Sequence, residues 1–438
     1  MAAPNSFLPA GMIRTGGTTQ RRLLKALEGH ESLQEFMQEL LSVGKSLASD
    51  PALTGLSMAK TVDALTRDAD ETWEFANIVL SMHPSTIRSI VLGSIAYDDS
   101  RGVLKSYRVP AAGDSHCQGV YVIGLRRRGH EGKFLTRHEA ERLIEGLLGY
   151  LKAVQISALP PSQRSAEDRA ALILMRRVDH LIGTSTNVHR PRWVTNDIEE
   201  AQVRALIRCL QGYVNQMSPT DATQRMLQSP IYVGCSTDLV ASVEDYDRAR
   251  GFENVNKPLA LTISMLEHLG LRTEMVIRVA VRTWKAHQLS LAEQIIVTMA
   301  SSIVYQGGFN TREAGGTEGT QIGLWEAKRL VLFAQGFLSG NLNNVEADRR
   351  KKSQFLAELA ALHEKFDEIE QETFELSGAG GPAPPPLEEK ERTLQMAEVR
   401  MAALEVDVAQ AGPVAKVAEA LLADARRALD TEDPDGVD

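Results

Sequence analysis

The sequence predicts a predominantly helical α+β protein in which a small antiparallel sheet is flanked by helices. Three observations carry that expectation. Short β runs bounded by glycine or proline stand at Gly119-Val120-Tyr121-Val122-Ile123-Gly124 and from Pro230 to Ser236, and Glu274–Arg282 alternates Met275, Ile277, Val279 and Val281. Most of the remaining chain repeats its apolar residues at helical spacing. A Gly-Ala-Gly-Gly-Pro-Ala-Pro-Pro-Pro run at 378–386 cannot continue a helix and separates off a C-terminal segment.

In chain order, residues 1–20 are rich in small and polar side chains and are expected to be a disordered leader. Leu23, Leu24, Leu27, Leu33, Phe36, Met37, Leu40 and Leu41 set one amphipathic helix within Arg21–Ala48. Val62, Leu65, Trp73, Ala76, Val79 and Leu80 set a second within Met58–Met82, so a helical hairpin turning near Asp50-Pro51 is expected inside an N-terminal helical region, 21–100. Gly102–Val109 reads as a strand stopped by Pro110. Thr136 with Glu139 three residues later reads as a capping box opening a helix to Ile156. Helices follow at Ala166–Ile182 and Asp197–Met217, around His189-Arg190-Pro191-Arg192-Trp193. Lys257–Leu269 is a helix stopped by Gly270, Ser290–Val304 a helix stopped at Gly307-Gly308, and Gln321–Leu338 another. The segments are therefore a sheet-bearing region at 101–340 with a helical insertion at about 130–229, a charged helix at 341–377, the linker at 378–387, and a helix with an acidic tail at 388–438.

At 438 residues the chain has room for two or three domains, and 43% hydrophobic residues suffice for a sizeable core. The cysteines Cys117, Cys209 and Cys235 have no short metal-ligand spacing, which points to a reducing, intracellular setting, nuclear or cytoplasmic; Cys235 reads as a small apolar filler. No apolar run approaches the ~20 residues of a membrane span, so no membrane partner is expected. Net charge is −9, unevenly spread: residues 101–229 carry 19 Lys+Arg against 12 Asp+Glu, while 336–438 carry 11 against 22. A basic groove with an acidic appendage and ordinary solvated helix faces both account for that asymmetry.

The residues with chemical potential cluster between Pro230 and Gly316. Tyr232-Val233-Gly234 lies on a strand, Glu293 on a later helix, and Asn310 in the turn Gly308-Phe309-Asn310-Thr311-Arg312. Each has a structural alternative: Ser290-x-x-Glu293 is also a capping box, and Asn310 also suits a turn. Together with Gly119-Val120-Tyr121, this order of elements resembles the GIY-YIG endonuclease superfamily. The resemblance implies two antiparallel strands each supplying a tyrosine (Tyr121 and Tyr232), a metal-binding Glu293, and Asn310 supporting the site. It further implies water attack on phosphorus near the tyrosines, with one Mg²⁺ or Mn²⁺ neutralising the leaving oxygen, and DNA or another nucleic acid as partner. Tyr121 precedes Tyr232 by 111 residues, so a long insertion must separate the two strands; Gly212-Tyr213-Val214 is the alternative source of the first tyrosine. The chain departs from the family where its arginine is expected, at Ser242; Tyr246 falls on the next position, and Arg248 and Arg250 lie close by.

Two readings follow from the resemblance, a metal-dependent nuclease and a catalytically inactive module that binds nucleic acid or protein. A third makes the chain a helical scaffold contacting a protein partner through its C-terminal helices, where Phe355, Leu359, Leu362, Phe366 and Ile369 form a stripe. Arg126-Arg127-Arg128 reads either as a phosphate contact or as a solvated loop, and Trp193 either as a stacking group or as a packing anchor.

Overall fold

The computed structural model describes residues 18–28, 33–49, 57–107, 118–181, 191–219, 221, 223–246, 252, 255–312 and 314–377. Expectations for residues 1–17 of the leader, the turn at Asp50-Pro51, Cys117, Arg248, Arg250, the linker and everything after Ser377 lie outside them, while residues 18–20, expected to end the leader, are helical. The chain divides into two compact units, Met1–Gly29 with Phe36–Ala334, and His30–Glu35 with Gln335–Asp438.

The fold is mixed α+β, mostly helical, with a three-stranded antiparallel sheet among the described residues. The strands are β1 (Gly119–Arg127), β2 (Tyr232–Ser236) and β3 (Thr273–Arg282), in the order β2-β1-β3. The central strand is the most apolar, and Val120 through Leu125 are all buried. Its register is Tyr121↔Gly234 and Ile123↔Tyr232 on one side, Tyr121↔Val279 and Ile123↔Ile277 on the other. The pairing to β3 slips between Val120 and Tyr121, leaving Ala280 as an extra residue opposite them, a bulge beside the first tyrosine. Of the expected strand Gly102–Val109 the structure describes residues 102–107, and among these Tyr107 alone forms a bridge, to Val279, while its hydroxyl donates to the Ser81 carbonyl at 3.0 Å.

Ahead of the sheet stand α1 (Thr18–Glu28), α2 (Gln34–Leu47), α3 (Val62–Arg67), α4 (Ala69–Leu80), α5 (Pro84–Leu92) and α6 (Ile95–Ser100). The expected helix over Met58–Met82 is broken at Asp68, whose extended backbone lets its carboxylate cap the amides of Asp70 and Glu71. Gly124 of β1 backs onto Ile95 and Ala96 of α6, and a methyl there would come within 3.3 Å of both.

Between β1 and β2 run α7 (Arg137–Ser157), α8 (Ala166–His180) and α9 (Asp197–Gln216), the insertion that the tyrosine spacing requires. The α7 capping box forms as read: the Thr136 amide donates to Glu139 at 3.0 Å and the Glu139 amide to the Thr136 hydroxyl at 3.3 Å. Burial disfavours the Glu139 carboxylate, but hydrogen bonds from Arg225 and the Thr136 amide outweigh it and hold the group below its ordinary range. A polar clip joins α7 to α8: Tyr150 donates to Asp179 at 2.7 Å and accepts from the Trp193 amide, while the Arg192 amide donates to the other Asp179 oxygen. Trp193 is buried beneath the Arg192 guanidinium, 4.3 Å from its ring, so it is a packing anchor.

After β2 come α10 (Leu239–Glu244), α11 (Lys257–His268), then β3 and α12 (Ala286–Ala300). α11 ends as expected at Gly270, whose φ is 71°. α12 is the core helix of its unit, contacting β1, β2, α4 and α5 and burying Leu289, Ile295, Ile296, Val297 and Met299. Each such aliphatic side chain contributes about 1.5–3 kcal/mol relative to exposure. α12 begins four residues before the expected Ser290. Lys285 is its N-cap and Gln288 its third residue, so Ser290 and Glu293 do not form a capping box. It ends at Ala300, four residues earlier than Val304, with Ser301 as its C-cap in the left-handed region at φ 46°.

The last helix, α13 (Leu324–Ser377), is continuous where two helices were expected, and its residues from Gln335 onward belong to the second unit. There Leu338, Leu342 and Val345 are buried, Lys352 pairs with Glu35 and Asp348, and Phe355 and Leu362 are exposed. Among the described residues no helix is long and apolar enough to cross a membrane.

Candidate functional site

Strand pairing brings Tyr121 and Tyr232 together across the 111-residue gap. Tyr121 faces Gly234 and Tyr232 faces Ile123, and side chains two apart on a strand share a face. The glycine is required by contact: a Cβ on Gly234 would lie 2.4 Å from Cζ and 2.5 Å from the hydroxyl of Tyr121. Tyr246, just past α10, joins them. Ring centroids stand 6.4 Å apart for Tyr121 and Tyr232, and 6.0 Å from Tyr246 to each. Tilted and edge-on ring packings of this kind are favourable beyond simple burial. Tyr121 and Tyr246 are buried and Tyr232 half-buried, with the Tyr121 and Tyr246 hydroxyls 3.5 Å apart. Gly212-Tyr213-Val214, the alternative source of the first tyrosine, lies on α9 and has no strand partner.

Burial raises all three phenols above their ordinary range; Tyr232 raises Tyr121 further while a hydrogen bond with Tyr246 opposes it, and Tyr246 is raised further by both neighbours. For Tyr232, burial dominates; a hydrogen bond from Tyr246 and the Arg312 charge oppose it, and Glu293 reinforces it. At neutral pH the trio is therefore a set of neutral hydroxyls suited to donating hydrogen bonds, with no phenolate to take a proton from water.

Asn310 is buried, and its side chain is spent on the backbone of β2. It accepts from the Val233 amide at 2.9 Å and donates to the Val233 carbonyl at 2.7 Å, as a neighbouring strand would. Phe309 adds an amide bond to the Ile231 carbonyl at 3.0 Å. Gly308 makes the turn possible, because a Cβ there would lie 2.1 Å from the Ser302 carbonyl oxygen. Both polar atoms of Asn310 are thus engaged by the backbone, and the residue positions β2.

Glu293 sits mid-helix on the side of α12 that meets β2. The Gly315 amide donates to its Oε2 at 2.7 Å, while the Ser290 hydroxyl donates to the Gly315 carbonyl at 2.7 Å. The pair clamps the glycine loop after Asn310. The Cys235 thiol also hydrogen-bonds Glu293; burial first, and then this carboxylate, push that thiol up to about 12. Cys235 is half-buried beside a charged group, so it is more than the apolar filler expected.

These residues do not fit a divalent ion. A single half-buried carboxylate, already accepting an amide and a thiol, offers one engaged ligand, and no group of three or more metal-binding side chains occurs among the described residues.

The remaining cationic candidates separate clearly. Arg126-Arg127-Arg128 is no solvated loop: Arg126 and Arg127 end β1, Arg126 and Arg128 pair with Glu274, and Arg127 pairs with Glu139. At the position where the arginine was expected, the Ser242 hydroxyl donates to the Ser236 hydroxyl at 2.7 Å, closing a contact between α10 and β2. Arg312 was quoted only as part of the closing turn, yet its charge reaches Tyr232. Its place two residues after Asn310 was the available signal, since the asparagine ties that turn to the tyrosine's strand. The chain matches no protein-family model, no curated protein and no solved structure.

Proposed function

We propose that this chain is a GIY-YIG-like module that binds nucleic acid at the face bearing Tyr232 without hydrolysing it. The observation that carries the reading is the convergence of Tyr121 and Tyr232 on paired strands, with the Asn310 turn bonded to Val233 between them and the following loop. Binding alone is favoured because the groups that hydrolysis asks for are engaged otherwise. The phenols stay protonated, Ser242 holds Ser236, and Glu293 holds the Gly315 loop.

The test uses the full chain with labelled single- and double-stranded DNA and RNA, reading anisotropy for binding and denaturing gels for cleavage, with and without Mg²⁺ or Mn²⁺. The expected result is binding with a dissociation constant on the order of 10⁻⁵ M, the range of sequence-independent complexes, and intact strands throughout. No binding to any of these would overturn the reading. Cleavage that needs the added metal and disappears in Glu293→Ala would replace it with metal-dependent phosphodiester hydrolysis.

A further inference from the structure

We propose that Arg312 and the Tyr232 hydroxyl together form the anion-binding point of this face, taking one phosphodiester of the bound nucleic acid. This rests on the nucleic-acid reading above and adds to it the residues that make the contact.

The backbone carrying Arg312 is held in place from several sides. Asn310 is bonded twice to Val233 and Phe309 once to Ile231, the residues on either side of Tyr232. Gln202 of α9 reaches the Thr311 carbonyl at 3.5 Å, and Asn256 reaches the Thr311 hydroxyl at 3.4 Å. A guanidinium mounted on a fixed segment loses less freedom on binding than one on a loose loop.

That guanidinium is also available. Arg312 is exposed, and among the described residues no carboxylate or carbonyl holds it. Other arginines of the same unit are paired: Arg126 and Arg128 with Glu274, Arg225 with Glu139, and Arg278 with Asp99. A guanidinium presents planar paired donors that match two phosphate oxygens. Tyr232, half-buried on the strand to which this turn is bonded and within reach of the Arg312 charge, keeps its proton and offers a further donor, with Tyr246 packed against it. The Glu293 charge that acts on Tyr232 is drawn into the Gly315 amide and the Cys235 thiol. An anion is therefore favoured on the Arg312 side of the phenol.

The test titrates labelled oligothymidylate into the full chain from 50 to 300 mM salt. One phosphate contact to a single strand adds about 0.7 to the slope of log affinity against log salt, and is worth about fivefold at 0.1 M salt. Arg312→Ala is expected to lose both amounts, and Arg312→Lys, which keeps the charge, to retain the slope. Unchanged affinity and slope in Arg312→Ala would overturn the assignment while leaving the nucleic-acid reading intact. A parallel titration of the dinucleotide dTpdT, followed by the Arg312 side-chain NMR signal, separates the remaining cases. A shift there without binding of any of the DNA and RNA strands named above keeps the anion point and removes the nucleic-acid reading; no response to the dinucleotide or to any strand removes both.

Discussion

Replacing Gly234 with alanine perturbs the tyrosine trio with a single methyl group. The added Cβ would stand 2.4 Å from Cζ, 2.5 Å from the hydroxyl and 2.9 Å from Cε2 of Tyr121. Carbon atoms rest at about 3.5–4.0 Å, so the ring must retreat by about 1 Å or more. An exposed phenol would swing aside at little cost. Tyr121 is only 4% exposed, with Tyr232 and Tyr246 within 6.4 Å of it, so the displacement spreads to both rings and to β1. Overpacking of this kind costs about 1–3 kcal/mol. Urea denaturation followed by far-UV circular dichroism measures that loss, and near-UV dichroism reports the rearranged rings. Gly212→Ala is the internal control: nothing lies within 4 Å of a Cβ there, and alanine within α9 should stabilise by about 1 kcal/mol. If Gly234→Ala matches wild type in urea midpoint and near-UV spectrum, the packing account of this glycine is wrong.

Asn310→Ala leaves the buried amide and carbonyl of Val233 without partners and should cost about 2–4 kcal/mol, with hydrogen exchange at the Val233 amide accelerated; slow exchange would show that something else covers β2. Glu293→Gln keeps an acceptor for the Gly315 amide but removes the charge beside Cys235. The thiol should then titrate below about 12 and alkylate faster at alkaline pH, although burial still holds it above its ordinary range. An unchanged rate profile would deny the contact. Asp179 is raised by burial from 3.8 to about 6 in the folded chain, so the native state keeps a proton that the unfolded state releases. Stability should therefore fall as pH rises from about 4 to about 6, by at most about 3 kcal/mol for this group, and Asp179→Asn should flatten that slope. Equal slopes in urea titrations at pH 4.5 and 7 would sink this assignment.

Much of the sheet could be read from the sequence because its signals are local. Glycine-bounded apolar runs marked β1 and β2, a capping box marked α7, and a glycine ended α11. What could not be read depended on contacts distant along the chain. Gly102–Val109 has strand composition, yet Tyr107 finds its hydroxyl partner on Ser81 and only one bridge forms among the described residues. Ser290 and Glu293 have capping-box spacing, but Lys285 already starts the helix and both side chains turn to Gly315. Tyr232, Glu293 and Asn310, distant along the chain, do fold together around β2, but the hydrogen bonds each makes there were not legible in their spacing. Whether an asparagine caps a strand or a carboxylate clamps a loop is decided by what folds back against it. Arg312 was overlooked because a lone cation has no periodicity; only the pinned turn gives it a place.

The position of β1 between its two partners has a consequence for how the chain is made. Val120 to Leu125 is a continuous apolar strand whose partners are both encoded far downstream, Tyr232 to Ser236 and then Thr273 to Arg282. At translation rates of about 5–20 residues per second, β1 leaves the ribosome roughly 8–30 seconds before the last residue of β3. Both of its edges are unpaired until β2 follows, and one remains so until β3 does, the condition in which apolar strands associate with the wrong chain. The helices between β1 and β2 are synthesised first, and α7, α8 and α9 can pair locally while the strand waits. The insertion that separates the two tyrosines thus also sets how long β1 waits for its first partner strand.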